Sequence, residues 1–132
     1  MPRIDPSRVP RTAGAAAAML VAPCCLHNLQ ARLPRGGAMR ALLRHGLLRE
    51  RMADLLTDAF RAQLLRILGY RVRIVEFVAP EATPRNLMLR AVAGTRPGRA
   101  ETVEEYRALR DFWGTTPHLE TLLAERLRPW LA

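Results

Sequence analysis

The sequence predicts an α/β fold, the second half of a doubly wound sheet, from three features. The apolar run Ala15–Val21 is typical of a short buried strand, which ends before Pro23. A long amphipathic helix is predicted at Leu47–Leu68. Two segments rich in β-branched and other apolar residues follow, Arg71–Val78 and Asn86–Val92, and both are typical of strands. Because a short loop joins them, we expect the last strand to be antiparallel to the one before it.

The long helix is the clearest local prediction. Its charged residues fall mostly away from an apolar stripe, and Gly69 is predicted to cap its C-terminus. The stripe follows spacings of three and four, which predicts that it packs on the core. Its members are Leu48, Met52, Leu55, Leu56, Ala59, Phe60, Leu64 and Ile67.

Shorter elements surround this helix and divide the chain. Residues 1–13 are rich in proline and arginine and are predicted to be a disordered lead-in. Residues 14–93 form the domain portion, with a helical turn at His27–Leu33 and a helix at Ala38–His45 that Gly46 caps or breaks. Residues 94–100 are a linker. Residues 101–132 are a helical extension, in which Gly114 separates helices at Glu101–Trp113 and Pro117–Leu127.

The charge of the chain is basic and unevenly distributed. The net charge is +9, all 21 basic residues are arginine, and 17 of them lie in residues 1–99. Such a body could bind a polyanion. A genome rich in G and C would also favour arginine and alanine through codon choice. The charge is therefore a weak indication of nucleic-acid binding.

Cysteine usage and the absence of a targeting pattern indicate a cytoplasmic protein. The only two cysteines are adjacent, which is not a disulfide framework, and no secretory signal is present. The apolar run before them is shorter than the roughly 20 residues needed to cross a bilayer.

The segment Pro23-Cys24-Cys25-Leu26-His27-Asn28 carries the most chemistry. Proline ends the predicted strand, so two thiols and an imidazole follow at its C-terminal end, where open α/β sheets usually bind ligands. Core packing of the cysteines is an equally good interpretation, because cysteine is among the most buried residue types. A vicinal pair is poorly suited to a closed tetrahedral zinc site, and we expect no metal.

This segment, together with several later ones, resembles the C-terminal half of bacterial class I S-adenosylmethionine-dependent methyltransferases. The resemblance covers residue 14 to the end of the chain. It rests on Met19–His27 with its Pro-Cys-Cys-x-His motif, on His45–Arg51, Leu56–Arg61, Leu68–Tyr70 and Val75–Val78, on the Thr-Pro-Arg-Asn motif within Thr83–Val92, and on Glu105–Leu109 with Phe112–Gly114.

The resemblance implies an incomplete domain. Complete members bind S-adenosylmethionine with a glycine-rich turn after a first strand and an acidic residue after a second, and this sequence contains neither. We therefore expect no cofactor to bind to this chain alone. Two further departures concern the site: Ala82 stands where the family commonly has histidine, and Asn28 where it often has an acid.

If the strands at Ala15–Val21 and Arg71–Val78 are parallel, their C-terminal ends share one rim of the sheet. His27, Thr83 and Asn86 are then candidates for hydrogen bonds to a methyl acceptor, and Arg85 for a phosphate or carboxylate contact. Thr83-Pro84 and Asn86 could instead only shape the turn. The full candidate rim is Pro23, Cys24, Cys25, His27, Asn28, Thr83, Pro84, Arg85 and Asn86.

The predicted function is thus the acceptor side of a methyltransferase whose acceptor is unidentified, nucleic acid being one candidate. The alternative is a non-enzymatic basic module that binds RNA or a partner chain. A gene fragment without a stable fold is a third interpretation. An exposed sheet edge would also allow self-association or pairing with a partner chain that supplies the missing half.

Overall fold

The computed structural model describes residues 17–22, 27–76 and 87–132, and these form a mixed α/β fold. The strands are β1 (Ala18–Val21), β2 (Tyr70–Glu76) and β3 (Leu87–Ala93). The α-helices are α1 (Arg40–Leu43), α2 (Gly46–Ile67), α3 (Ala100–Trp113), α4 (His118–Leu122) and α5 (Ala124–Leu131). Two 3₁₀ helices, His27–Arg32 and Gly37–Met39, precede α1.

The three strands form one sheet in the order β1-β3-β2, and each hydrogen-bonded pair is antiparallel. The predicted β2–β3 hairpin is confirmed. Because β1 and β2 are both antiparallel to β3, they run in the same direction, which is the condition on which the predicted rim depends. They are not neighbours, however, since β3 lies between them. A side-by-side parallel pair is therefore absent from the described part of the sheet.

The two faces of the sheet have opposite character. On the covered face, Tyr70, Val72 and Ile74 of β2 lie opposite Ala93, Ala91 and Leu89 of β3. All three of these β3 side chains are buried, and this face packs on Leu65 of α2. On the other face, which we call the open face, every described side chain is either arginine or apolar. Its described members are Ala18, Leu20, Arg71, Arg73, Val75, Met88, Arg90 and Val92.

Helix α2 forms the main hydrophobic core with α3. Phe60, Leu64 and Ile67 of α2 are fully buried, and Phe60 packs edge-on against Tyr106 of α3, with 5.8 Å between the ring centroids. The predicted stripe is confirmed at these positions and at Leu56. It is wrong at Leu48 and Leu55, which are 41% and 57% exposed, because the buried face is rotated toward Ala53 and the polar residue Arg49, both of which are buried.

Two glycines let the 94–98 loop close over the end of α2. Gly69, with φ +98°, follows the helix, and its carbonyl accepts hydrogen bonds from the amides of Gly94 and Thr95. A Cβ atom on Gly69 would lie 2.8 Å from the Thr95 carbonyl oxygen. Gly98, with φ +67°, leaves room for Trp130, whose indole Nε1 lies 1.7 Å from where a Cβ would stand. The loop is thereby fixed between α2 and α5.

The C-terminal extension contains one more break than predicted. Helix α3 ends at Gly114, as expected, with φ +62° at that glycine. The segment predicted as one helix over Pro117–Leu127 divides at Leu123 into α4 and α5. The second of these continues through Pro129 to Leu131.

A partly buried polar cluster joins α3 to α4. The Tyr106 hydroxyl donates to Glu120 Oε1 at 2.9 Å, and Arg110 donates to the same oxygen at 2.6 Å. The Arg110 guanidinium also lies over the Tyr106 ring, 5.5 Å from its centroid. Burial, and then the neighbouring Glu120 carboxylate, raise the pKa of Tyr106 well above its ordinary value.

Candidate functional site

The sheet places the ends of the two strands that precede the predicted motif segments at the same edge. Val21 of β1 and Ile74 of β2 are both register partners of Leu89, one on each side of β3. The C-terminal ends of β1 and β2 and the start of β3 therefore share one rim, with β1 and β2 about 10 Å apart. In the sequence, residues 23–26 follow β1 and residues 77–86 connect β2 to β3, and both segments lie outside the described residues.

Most of the predicted site residues fall in these two connections. Pro23, Cys24 and Cys25, and likewise residues 83–86, lie outside the described residues. His27 and Asn28 open the first 3₁₀ helix. The chemical roles assigned to all nine residues remain predictions, and so does the choice between a functional and a packed cysteine pair.

Arg49 fixes the chain that follows the cysteine segment, and the sequence pattern did not reveal it. Its side chain is only 7% exposed. Its guanidinium donates to the carbonyl oxygens of Gln30 at 3.0 Å and Pro34 at 3.1 Å, and also to that of Leu33. These are carbonyls at the end of a 3₁₀ helix, which has no further turn to satisfy them. One buried cation thus ties the residues after the Pro-Cys-Cys-x-His segment to α2.

A basic groove of about 290 Å³ lies along β2. Residues from both faces of β2 line it, which places it along the outer edge of that strand. Four arginines contribute, from α2, β2 and the start of α3. Its lining is Arg66, Tyr70, Arg71, Val72, Arg73, Thr95, Arg99 and Thr102.

The arginines of this groove differ in how they are paired. Arg66 donates to Glu105 at 3.0 Å and to Gln63 at 2.9 Å, so its charge is partly neutralised. Arg99 lies 3.8 Å from Glu101, a long and exposed pair. The guanidinium groups of Arg71 and Arg73 have no hydrogen-bonding or acidic partner among residues 17–22, 27–76 and 87–132. The alternation Arg71-Val72-Arg73 was visible in the sequence as a sign that both side chains point to one face of a strand.

A second cavity, of about 300 Å³, lies on the covered side of the sheet and is mostly apolar. Met19, Val21 and Leu89 line it from the sheet, and the side chains of Arg61 and Arg126 also contribute. Arg61 lies 3.4 Å from the buried Asp58 carboxylate. Burial raises the pKa of Asp58, and the Arg61 charge opposes that change.

Neither metal ligation nor a membrane span is indicated by the described residues. Within them, no group of three or more His, Cys, Asp or Glu side chains could hold a metal ion. No helix in the same part of the chain has the length and apolar character needed to cross a bilayer.

Comparisons with protein-family models, with curated proteins and with solved structures find no match for this chain.

Proposed function

We propose that this chain is the acceptor-side portion of a class I S-adenosylmethionine-dependent methyltransferase. The observation that carries the proposal is the shared register partner Leu89, which sets the ends of β1 and β2 at one rim. The two motifs on which the resemblance rests follow those strand ends. A strand–helix–strand unit completed by an antiparallel strand is the arrangement that the resemblance predicts, and the sheet order is compatible with it.

In this proposal the rim holds the methyl acceptor. His27, Thr83 and Asn86 hydrogen-bond to it, and Arg85 contacts a phosphate or carboxylate on it. For methyl transfer the protein must hold the donor, the methyl group and the acceptor in line. It must also remove a proton where the acceptor carries one. Arg49 supports this role indirectly, because it fixes the backbone directly after the Cys-Cys-x-His motif.

Neither the glycines that flank the 94–98 loop nor the basic groove along β2 suits the cofactor. The left-handed glycines Gly69 and Gly98 approach atoms of the chain, Thr95 and Trp130, and leave no cradle for a ligand. The groove along β2 is lined by four arginines, which would repel the sulfonium cation of S-adenosylmethionine. We therefore assign cofactor binding to none of these residues, and the proposal requires that another polypeptide segment supplies it.

The first test is calorimetric titration of the purified chain with S-adenosylmethionine. We expect no binding, and an affinity in the micromolar range would contradict the division into two halves. The second test reads the DNA upstream of the Met1 codon in all three frames. A strand pattern followed by an acidic-x-Gly-x-Gly turn is expected there, and its absence would favour the non-enzymatic module.

The decisive measurement uses the extended chain that such an upstream segment would give. We expect it to bind S-adenosylmethionine and to transfer a tritium-labelled methyl group to an acceptor in a bacterial lysate. Asn86→Ala should reduce transfer by at least tenfold while cofactor binding is retained. His118→Ala, at an exposed position on α4, is the matched control and should change neither. Equal transfer by all three proteins would contradict the proposed rim.

A further inference from the structure

The open face of the sheet carries an unusual concentration of unpaired charge. Arg73 of β2 and Arg90 of β3 are direct register partners, and both are exposed. Like charges placed directly opposite on a sheet repel each other and destabilise the pairing. Arg71 lies on the same face of β2, two residues before Arg73. The described residues of this face include no acidic side chain that would offset the repulsion.

The arginines of the open face overlap with the basic groove along β2. Arg71 and Arg73 belong to both, and Arg99 adds a fourth guanidinium from the start of α3. We define Arg71, Arg73, Arg90 and Arg99 as the arginine surface. Its members come from β2, β3 and α3, three elements that the fold holds together. The side chains of Arg71, Arg73 and Arg90 make no ion pair with residues 17–22, 27–76 and 87–132, so no carboxylate of these residues would compete with a ligand for them.

From these observations we propose that the arginine surface binds the phosphate backbone of single-stranded nucleic acid. Arginine presents a planar fork of N–H donors that matches two phosphate oxygens at once. Side chains two residues apart on a strand are about 6.6 Å apart, close to the separation of consecutive phosphates in an extended single strand. Arg71 and Arg73 have this spacing along β2, and Arg90 lies beside Arg73 on β3.

The apolar residues of the open face favour a single strand over a duplex. Leu20 is 67% exposed, and Val75, Met88 and Val92 are half-buried between or beside the arginines. An unpaired base can rest on such side chains or stack on a guanidinium plane, as single strands do on sheet surfaces. The bases of a duplex are stacked on one another and cannot use these contacts. This inference does not depend on methyl transfer and holds for an enzyme or for a binding module.

The test measures fluorescence anisotropy of a labelled single-stranded RNA with the full chain. An oligonucleotide of about 20 nucleotides exceeds the roughly 4–16 that one small domain covers. The variant Arg71→Gln/Arg73→Gln/Arg90→Gln removes three charges. The control Arg35→Gln/Arg44→Gln/Arg51→Gln removes the same charge from three exposed arginines near α1 and α2, away from the sheet. Thermal melts by circular dichroism establish that both variants are folded.

We expect the first variant to bind at least about tenfold more weakly at low salt. The slope of log affinity against log salt, measured between about 50 and 200 mM NaCl, should fall in magnitude by about 2, because each lost phosphate contact to a single strand contributes about 0.7. The control variant should stay within about threefold of the parent chain and keep its salt slope. A duplex of the same sequence should bind more weakly than the single strand.

Three results would overturn the proposal. An equal loss of affinity in both variants would mean that net charge alone drives binding. Loss of binding to phosphatidylserine vesicles, with RNA binding unchanged, would assign the surface to a membrane. Self-association of the first variant with unchanged RNA binding would mean that the arginines only guard the exposed edge of β2 against pairing with another strand. None of these results bears on the titration with S-adenosylmethionine, so the two proposals fail separately.

Discussion

The covered and open faces of the sheet are built from alternate residues of the same strands, yet they follow different rules. On the covered face, Leu89, Ala91 and Ala93 are at most 5% exposed and pack against helices. On the open face, Arg73 and Arg90 stand opposite each other with no acid between them. The covered face is arranged for stability. On the open face, repulsion between the two arginines lowers stability, which is typical of a surface that binds another molecule.

The arginines of the chain differ in the same way, since some have hydrogen-bonding partners within the fold and others do not. Arg49 is buried, and three carbonyl oxygens accept its hydrogen bonds, while Arg110 joins Glu120 beneath Tyr106. The arginines of the open face have no such partners among the described residues. A bias in codon usage could supply all of these arginines. It cannot explain why Arg49 is buried among hydrogen-bond acceptors while Arg71 and Arg73 line a groove without a partner among the described residues.

The largest expected effect comes from one substitution made on each face. Leu89→Ala on the covered face should lower the free energy of unfolding by about 2–5 kcal/mol, because it removes a fully buried side chain and leaves a cavity. Leu20→Ala on the open face should change it by less than about 0.5 kcal/mol. Urea denaturation measures both. Similar losses would mean that the open face is covered by other parts of the protein.

The next largest effect compares two arginines. Arg49→Met should lower the free energy of unfolding by about 2–3 kcal/mol, since three backbone carbonyls lose a charged donor. Arg73→Met should have little effect, or should stabilise the fold slightly by relieving repulsion from Arg90. The same urea titration distinguishes them. A stable Arg49→Met variant would show that the backbone after the cysteine segment does not depend on this anchor.

A smaller effect concerns pH and the polar cluster between α3 and α4. The pKa of Tyr106 is raised in the folded chain, so above about pH 10 the unfolded state loses this proton and the folded state keeps it. The contribution of the Tyr106 hydroxyl to the free energy of unfolding is therefore fully present below about pH 10. Above that pH the free energy of unfolding falls by up to about 1.4 kcal/mol per pH unit.

The control for this alkaline loss is Tyr106→Phe, which cannot ionise at that position. Unfolding free energies measured between about pH 8.5 and 11 should decline less steeply in the variant. The comparison is direct because the chain contains no lysine, and because its two cysteines and its other tyrosine are present in both proteins. Equal slopes in both proteins would mean that Tyr106 reaches solvent before the chain unfolds.

The sequence predicted the helices and strands that are determined by residues close together in the chain. Helix α2 was predicted within one residue at each end, because its apolar spacing and Gly69 are visible in a short window. The hairpin of β2 and β3 followed from β-branched residues and a short connection. The insertion of β3 between β1 and β2 could not be predicted, because it depends on hydrogen bonds between segments about 70 residues apart.

Two polar features were missed for a related reason. Arg49 has a helical position that periodicity assigns to the surface, and only the packing of the 27–34 segment makes it buried. The basic groove combines α2, β2 and the start of α3, so no single window of sequence contains it. The candidate rim was predicted from two motifs, and the strand order explains why they would meet. The roles of its residues still depend on chemistry that only the proposed measurements address.

The close contact between Trp130 and Gly98 also provides an internal fluorescence probe. The chain has two tryptophans, and Trp130 lies beside the loop that carries Thr95 and Arg99 to the basic groove. In a Trp113→Phe background, the emission of the remaining indole would report on that loop alone. A ligand that draws Arg99 toward the sheet would change the intensity or wavelength of that emission. Binding could then be followed without a label on either molecule.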